Sequence, residues 1–376
     1  MLFATPKLAA KEHGVIARID EVRRNLSYIL SAPRRWDGLI RRDAFARAIR
    51  GSNTIEGYHV TDDDAAAAVD NDEPLEASGV SWAAVTCYRD ALTYILRLEG
   101  DPHFEYNEAL IRSLHYMMMR HDVTKRPGQW RSGPVRIVDE RNGEVVYLGP
   151  DGDDVPGLMR ELAESLRRQD ESAPVMVRAV MAHLNLAMIH PFSDGNGRMA
   201  RALQTLVLTQ DGIVSPVFSS IEEYLGRHQH EYYAVLAEVG AGAWSPGCDA
   251  RPWVRFCLTA HYRCANNLVR RTKEFELAWN EIELLRKRLS LPDRVEGALV
   301  MAAFGRRLRN STYRTAADVS DQVASRDLKR LSDCGLLVPR GERRGRVYER
   351  SETLAAIREK ARQPRKDDDP FDALAE

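Results

Sequence analysis

Cysteine is scarce: the 376-residue chain has five (Cys87, Cys248, Cys257, Cys264, Cys334), and none stand in a CxxC pair. An odd, scattered set argues against a disulfide framework or a structural zinc site and predicts reduced, mostly buried thiols. Long apolar runs are also missing, since no segment approaches the roughly 18 uninterrupted apolar residues of a membrane helix. The opening MLFATPKLAAKEHG carries no long apolar stretch after its positive charge, so it does not read as a secretory signal. The expectation is a soluble, cytoplasmic protein with no membrane partner. A formal net charge of −1 supplies no global field for nucleic acid, so any such attraction must come from a local patch. Neither a GxxxxGK(S/T) loop nor a kinase HRD and DFG set is present, and no internal repeat is found.

What the chain does have is an ordinary globular composition, 44% hydrophobic and 29% charged, on a length that allows two or three domains. Helical apolar stripes run through Val15, Ile16, Ile19, Val22, Leu26 and Ile29, and again through Val80, Ala84, Cys87, Ala91, Tyr94, Ile95 and Leu98. The same spacing predicts helices near 107–120, 154–171, 174–189, 198–211 and 221–239. Thr61, followed by three aspartates, reads as a capped helix start. Residues 134–148 instead alternate apolar and polar on either side of Arg141-Asn142-Gly143, a hairpin signal. A lone hairpin among helices is marginal unless it packs or binds, which makes it a candidate flap.

Long helices are expected over about 250–290. After Leu291-Pro292, short helical runs near 295–305, 315–321 and 324–333 precede a strand, a basic loop and a second strand, the layout of a winged helix-turn-helix. The charged end, RQPRKDDDPFDALAE, reads as disordered. These divisions give an N-terminal helical region (1–75), a core (76–275), a linker helix with the winged module (276–362) and a tail (363–376). The fold class is mainly α.

Residues 190–201 read His-Pro-Phe-Ser-Asp-Gly-Asn-Gly-Arg-Met-Ala-Arg. Pro191 disfavours helical geometry at His190 and so stops the preceding helix. Gly195 and Gly197 let the backbone turn tightly and approach a ligand. A new helix near Arg198 turns its free N–H groups toward the loop and forms an anion cradle. Arg198 and Arg201 share one helix face and can reach the same polyphosphate. Asp194 offers a hard oxygen suited to magnesium, and His190 titrates in the range useful for a base. Together they point to phosphoryl or nucleotidyl transfer.

HPFSDGNGRMAR resembles the Fic-domain family pattern HPFx(D/E)GNGRxxR, with no departure at any defined position. The resemblance implies a Fic helical bundle with a β-hairpin flap, here 134–148 introduced by Gly128-Gln129-Trp130-Arg131. It also implies ATP and Mg²⁺ as donor and metal, and transfer of AMP onto a Ser, Thr or Tyr hydroxyl of a target protein or of the chain itself. On that basis His190 deprotonates the hydroxyl and Asp194 holds the metal. Gly195, Asn196 and Gly197 form the anion hole, while Arg198 and Arg201 grip the β- and γ-phosphates. The family's YY segment maps to Tyr232 and Tyr233, which the resemblance places near the adenine. His183 sits where the family often has a histidine, and a packing or hydrogen-bonding role is expected for it.

Ser52-Asn53-Thr54-Ile55-Glu56-Gly57 resembles the family's inhibitory motif, (S/T)xxxE(G/N). The resemblance pairs Glu56 with Arg201, where its carboxylate would take the place of the γ-phosphate. Residues 301–350 hold 12 Lys/Arg against 6 Asp/Glu, with Ser325, Arg326, Lys329 and Arg330 on the second helix of the turn and Arg343, Arg344 and Arg346 on the wing. Such a distribution suits phosphate backbones. Target docking or packing nevertheless ranks ahead of DNA binding, because the fold alone does not decide. Removal of AMP from modified proteins, and a DNA-binding regulator with a vestigial core, are the competing readings. A homo-oligomer stays open.

Overall fold

The computed structural model describes residues 1–31, 35–138, 143–168, 173–213, 220–342, 345–365 and 368–372, without side chains for 27–31. The Arg141-Asn142 pair of the hairpin turn, Arg343 and Arg344 of the wing, and parts of the 363–376 tail lie outside the described residues. The fold is mainly helical. Among the described residues, its only sheets are two two-stranded antiparallel pairs.

The first helices are α1 (Ala10–Ser31), α2 (Asp37–Ile55), α3 (Asp62–Asp70), α4 (Gly79–Arg97) and α5 (Glu108–Met119). Helix α2 runs through the SNTI segment before Gly57, at φ 80°, turns the chain where other residues would be strained. Thr61 caps α3 in a reciprocal box with Asp64. Asp64 also accepts the amides of Leu75, Glu76 and Ala77, which folds the next segment back over α3.

Strands β1 (Arg136–Val138) and β2 (Val145–Leu148) form the hairpin, with Ile137 opposite Tyr147 and a bulge between Ile137 and Val138. Tyr147 is buried, and its hydroxyl donates to the Met188 carbonyl at 2.9 Å. The far side of β2 exchanges backbone bonds with Gly242 and Trp244, leaving β1 as the outer edge. Four apolar flap side chains, Val138, Val145, Val146 and Leu148, face solvent.

Helices α6 (Val155–Arg168), α7 (Val175–Ile189) and α8 (Asn196–Gln210) follow. The predicted 221–239 helix is in fact two, α9 (Glu222–Arg227) and α10 (Gln229–Gly240), broken at His228, whose backbone leaves the helical region. Gly226 on α9 packs so closely on Gly51 of α2 that a Cβ at either glycine would meet the other helix's backbone within about 3 Å. Such helix contact requires glycine and fixes where α9 must lie.

One helix of 38 residues, α11 (Arg251–Arg288), replaces the several expected over 250–290. It passes without interruption through the 275–276 division and contributes to two cores. Trp253, Val254, Cys257 and Leu258 pack with α1, α7 and α10, while Phe275, Ala278, Trp279 and Ile282 pack with the C-terminal module. That module contains α12 (Glu296–Ala303), α13 (Asn310–Ala317), α14 (Asp321–Asp333), β3 (Leu337–Arg340), β4 (Val347–Arg350) and α15 (Glu352–Ala361). Its core also takes in Leu26 of α1 and Trp36 and Ile40 at α2. Arg306 holds Asp43 of α2 at 2.8 Å, and Arg307 holds Asp63 of α3 at 2.7 Å. The expected disorder of the tail does not extend to its described part. Pro370 is buried and Phe371 packs under the Arg255 guanidinium at 5.3 Å, because two apolar side chains there find a surface to cover. No helix among the described residues is long and apolar enough to cross a membrane.

Candidate active site

Helix α7 ends at Ile189, and His190 takes a left-handed conformation at φ 51° and ψ 58°, turning the chain into Pro191. The His190 Nδ1 faces the Ala187 carbonyl at 3.3 Å. A carbonyl only accepts, so Nδ1 carries the proton and Nε2 is left with its lone pair. Burial, with a smaller contribution from the nearby Arg131 cation, lowers the His190 pKa below the ordinary imidazole value. The ring is therefore neutral, and able to accept a proton, at pH 7.

Asn196 closes the following loop by accepting the Phe192 amide and donating to the Phe192 carbonyl, both at 2.9 Å. Its amide group is thus spent on loop shape, which differs from a side chain aimed at a ligand. Gly195 turns at φ 75°, and its amide donates to Asp194 Oδ1 at 2.6 Å. The Asp194 carboxylate is partly exposed, with Lys125 Nζ 3.4 Å from Oδ2. Helix α8 begins at Asn196, directly after this turn.

Arg198 and Arg201 project from the first turns of α8 and are 0% and 2% exposed. Arg198 donates to Met119 Sδ at 2.9 Å and lies over the Tyr58 ring at 4.8 Å, while its Nε and Nη1 are buried without a hydrogen-bond partner among the described residues. Arg201 Nε donates to Ser52 Oγ at 2.7 Å, and Nη2 donates to the Ser52 carbonyl at 3.0 Å and to Glu56 Oε1 at 2.7 Å. Its Nη1 has no hydrogen-bond partner among the described residues. Burial works against the Arg201 charge, but the Glu56 carboxylate outweighs it, and the pKa is raised above its already high ordinary value. Glu56 also rests on Gly197: a Cβ there would stand 2.3 Å from Glu56 Oε1. One segment, 52–58, thereby brings a carboxylate to Arg201 and an aromatic face to Arg198.

Several residues that shape the site were not singled out from the sequence. His115 accepts the Gly128 amide at Nδ1 and bonds the Asp194 carbonyl through Nε2, both at 2.9 Å. Its ring stacks on Phe192 with centroids 3.6 Å apart. Burial, assisted by the Arg198 charge, lowers the His115 pKa to about 4. Arg131, quoted above only as part of the flap's lead-in, donates to the carbonyls of His190 (2.7 Å), Ile189 (3.2 Å) and Pro150 (2.7 Å), tying the flap base to the end of α7. Each of these contacts joins residues far apart in sequence, and no local pattern marks them.

Tyr232 and Tyr233 separate. Tyr232 is 1% exposed, and its hydroxyl bonds His183 Nε2 at 3.0 Å behind Arg201, so it presents no open face to an adenine. Tyr233 is 47% exposed. His183 is buried and bonds Gln204 at 2.7 Å, so it packs and hydrogen-bonds in the core.

Residues 105–208 match the family model described as Fic/DOC family, a span that takes in the flap and the whole 190–201 loop. A "Protein adenylyltransferase Fic" of Nematostella vectensis is 26% identical over 259 residues, covering 67% of this chain and 55% of the relative. A "Protein adenylyltransferase fic-1" of Caenorhabditis briggsae is 40% identical over 129 residues, 33% of this chain and 22% of the relative. The chain therefore spans about half the length of the first of these curated relatives and about a fifth of the second. Among solved structures, a Fic family protein from Desulfovibrio desulfuricans G20 superposes with a TM-score of 0.59 at 23% identity, covering 92% of this chain and 98% of that one. A fragment of C. elegans Fic-1 gives 0.53 at 20% identity, covering 69% and 72%. At these identities the structural likeness is one of fold. The loop, the flap and part of the helical frame fall within the span that matches the Fic/DOC family model, and in fold the chain is similar to these Fic proteins.

Proposed function

We propose that this protein transfers AMP from ATP to a hydroxyl of a protein, its own or a partner's, and that Glu56 holds the reaction back. The observation that carries the reading is the pair of buried guanidinium groups at the start of α8, Arg198 and Arg201, whose unpartnered N–H groups call for a ligand rich in anionic oxygens. A buried, unsatisfied donor costs about 1–3 kcal/mol, and polyphosphate oxygens would relieve that cost.

In this mechanism the target hydroxyl approaches His190 Nε2, gives up its proton there and attacks the α-phosphorus. The new O–P bond forms as the bond from the α-phosphorus to the bridging oxygen breaks, and pyrophosphate departs with the electron pair. The amides at the start of α8, together with Arg198 and Arg201, stabilise charge developing on the leaving group. The donor set also fits magnesium. Asp194 offers one accessible carboxylate, and Mg²⁺ commonly takes one or two protein carboxylates plus substrate phosphates. When bound, the metal would neutralise phosphate charge beside Asp194. The outer edge of β1, with the exposed valines of the flap, suits addition of an extended target segment.

Glu56 occupies Arg201 and lies on Gly197, where phosphate oxygens would otherwise approach. Tyr58 covers Arg198 at the same time. Productive ATP would need this segment to withdraw.

The test is label transfer from ATP carrying ³²P at the α position, with Mg²⁺ and candidate targets. Wild type, Glu56→Gly and Glu56→Gly with His190→Ala are compared. Label in the Glu56 variant, lost with His190→Ala and absent when the γ-phosphate is labelled, is the expected result. No label in any variant, with lysate as target, would move the assignment to AMP removal or to another donor.

A further inference from the structure

A separate cavity of about 360 Å³ opens between α2, α9 and α11, and it shares no residue with the 190–201 loop or with Ser52 and Glu56. Five arginines line it: Arg47 from α2, Arg227 from α9, Arg263 and Arg271 from α11, and Arg365 beyond α15. Against them stands one acidic side chain among the described lining residues, Glu223. Five positive charges and one negative line the cavity, and Asp43 just outside it pairs with Arg47, which still leaves an excess of positive charge.

Glu223 is fully engaged. Its Oε1 accepts from Arg227 at 2.7 Å and from Arg271 Nη2 at 2.8 Å, and its Oε2 accepts from Arg271 Nη1 at 2.9 Å. Burial acts against its charge, but Arg271, Arg47 and Arg227 outweigh that and hold its pKa down to about 2. Arg47 pairs with Asp43 through Nη2, while its Nε, 3.3 Å from Oε2, makes no hydrogen bond among the described residues and is shut off from solvent. The one carboxylate is therefore shared out, and a buried donor beside it is still unmet. Like-charged guanidinium groups converging on such a space repel one another unless a further anion enters.

The geometry of supply defines the anion. The acceptor sites of a carboxylate lie in one plane, whereas these donors come from three helices and the segment after α15. A tetrahedral phosphate carries acceptor oxygens in several directions and up to two charges. A cavity of 360 Å³ lies within the usual range for a small ligand site, about 300–1,000 Å³.

We propose that this cavity is a binding site for a small phosphate anion, free or carried on a nucleotide. The site stands independently of the transfer reaction, because none of its residues belongs to that machinery.

The test is a melting curve and a calorimetric titration of the full chain with inorganic phosphate, pyrophosphate and AMP at constant ionic strength, with sodium acetate as the control. The wild type should melt at rising temperature as phosphate increases, since a ligand that binds only the folded state stabilises it by mass action. An AMP response above that of phosphate would assign the site to a nucleotide, and equal responses would assign it to the free anion. Arg227 and Arg365 are both exposed, with the Arg227 side chain 51% accessible, so the Arg227→Ala, Arg365→Ala double variant should fold. It should bind about tenfold or more weakly, the consequence of losing roughly 1.4 kcal/mol of charge-assisted contacts. The Arg227→Lys, Arg365→Lys variant keeps the charge and should fall between the two, which separates binding from any folding defect. No phosphate response in the wild type, an acetate response equal to it, or undiminished binding in the alanine variant would overturn the proposal.

Discussion

Helix α2 meets arginines at two places, and they are treated differently. Near its C-terminal end, Arg198 and Arg201 are buried with N–H groups left unpartnered among the described residues. Farther toward its start, Arg306 reaches Asp43 of α2 and the Asp62 carbonyl, and beside it Arg307 reaches Asp63 of α3 and Glu76. The second group is paired with this chain's own acceptors, whereas the first keeps buried N–H groups without a partner among the described residues. A paired cation of this kind serves structure, and two adjacent buried guanidinium groups with unmet N–H groups at one helix start suit a ligand rich in anionic oxygens. The difference separates the groups that hold α2 from those that α2 obstructs.

Removing the base should give the largest effect. His190→Ala in a Glu56→Gly background is expected to lower label transfer about a thousandfold while ATP binding is retained, since general-base removal typically costs 10²–10⁴. Matched rates would break the assignment of the under-paired end to chemistry. The pH profile carries the same information. Because the His190 pKa is lowered, the neutral base persists as pH falls past about 6.5, the ordinary value, and the acidic limb of the rate should lie below that point.

Next comes the paired group. Arg306→Ala leaves the buried Asp43 with Arg47 as its remaining partner and should cost about 1–3 kcal/mol in a denaturant titration. An unchanged midpoint would remove the structural half of the comparison. Glu56→Gly should act at the other end of α2. Losing a charge-assisted bond to Arg201, worth about 1.5–3 kcal/mol, should raise transfer by roughly tenfold or more. Arg307→Ala is expected to be the mildest change. Its pairs with Asp63 and Glu76 are partly exposed, and exposed pairs contribute only about 0–1 kcal/mol, so the melting midpoint should barely move.

The sequence made parts of this molecule legible and hid others for physical reasons. The loop from His190 to Arg201 could be read because its base, turn glycines, helix start and arginines are consecutive, so local rules of proline, glycine and helix geometry place them. The hairpin was visible for the same reason. His115 was not, because it acts on Asp194 across 79 positions and sits in an ordinary apolar helix pattern. Arg131 reaches 59 residues to His190, and Tyr58 meets Arg198 only once α2 has docked. The break at His228 was hidden within a continuous helical stripe, because Gly51 of another helix decides where α9 lies. The described tail escaped a composition argument because two apolar residues, Pro370 and Phe371, outweigh their charged surroundings once a surface is at hand.

Helix α11, finally, has a mechanical meaning. At 38 residues it is about 57 Å long at 1.5 Å per residue, and it is buried in one core near its start and in another near its end. The catalytic frame and the C-terminal module are thus mounted on a single beam with no joint between them. A load on the module cannot swing it away as a hinged body would. The strain has to run along the beam or cross to α2 through Arg306 and Asp43, the same helix whose last turn leads into Glu56.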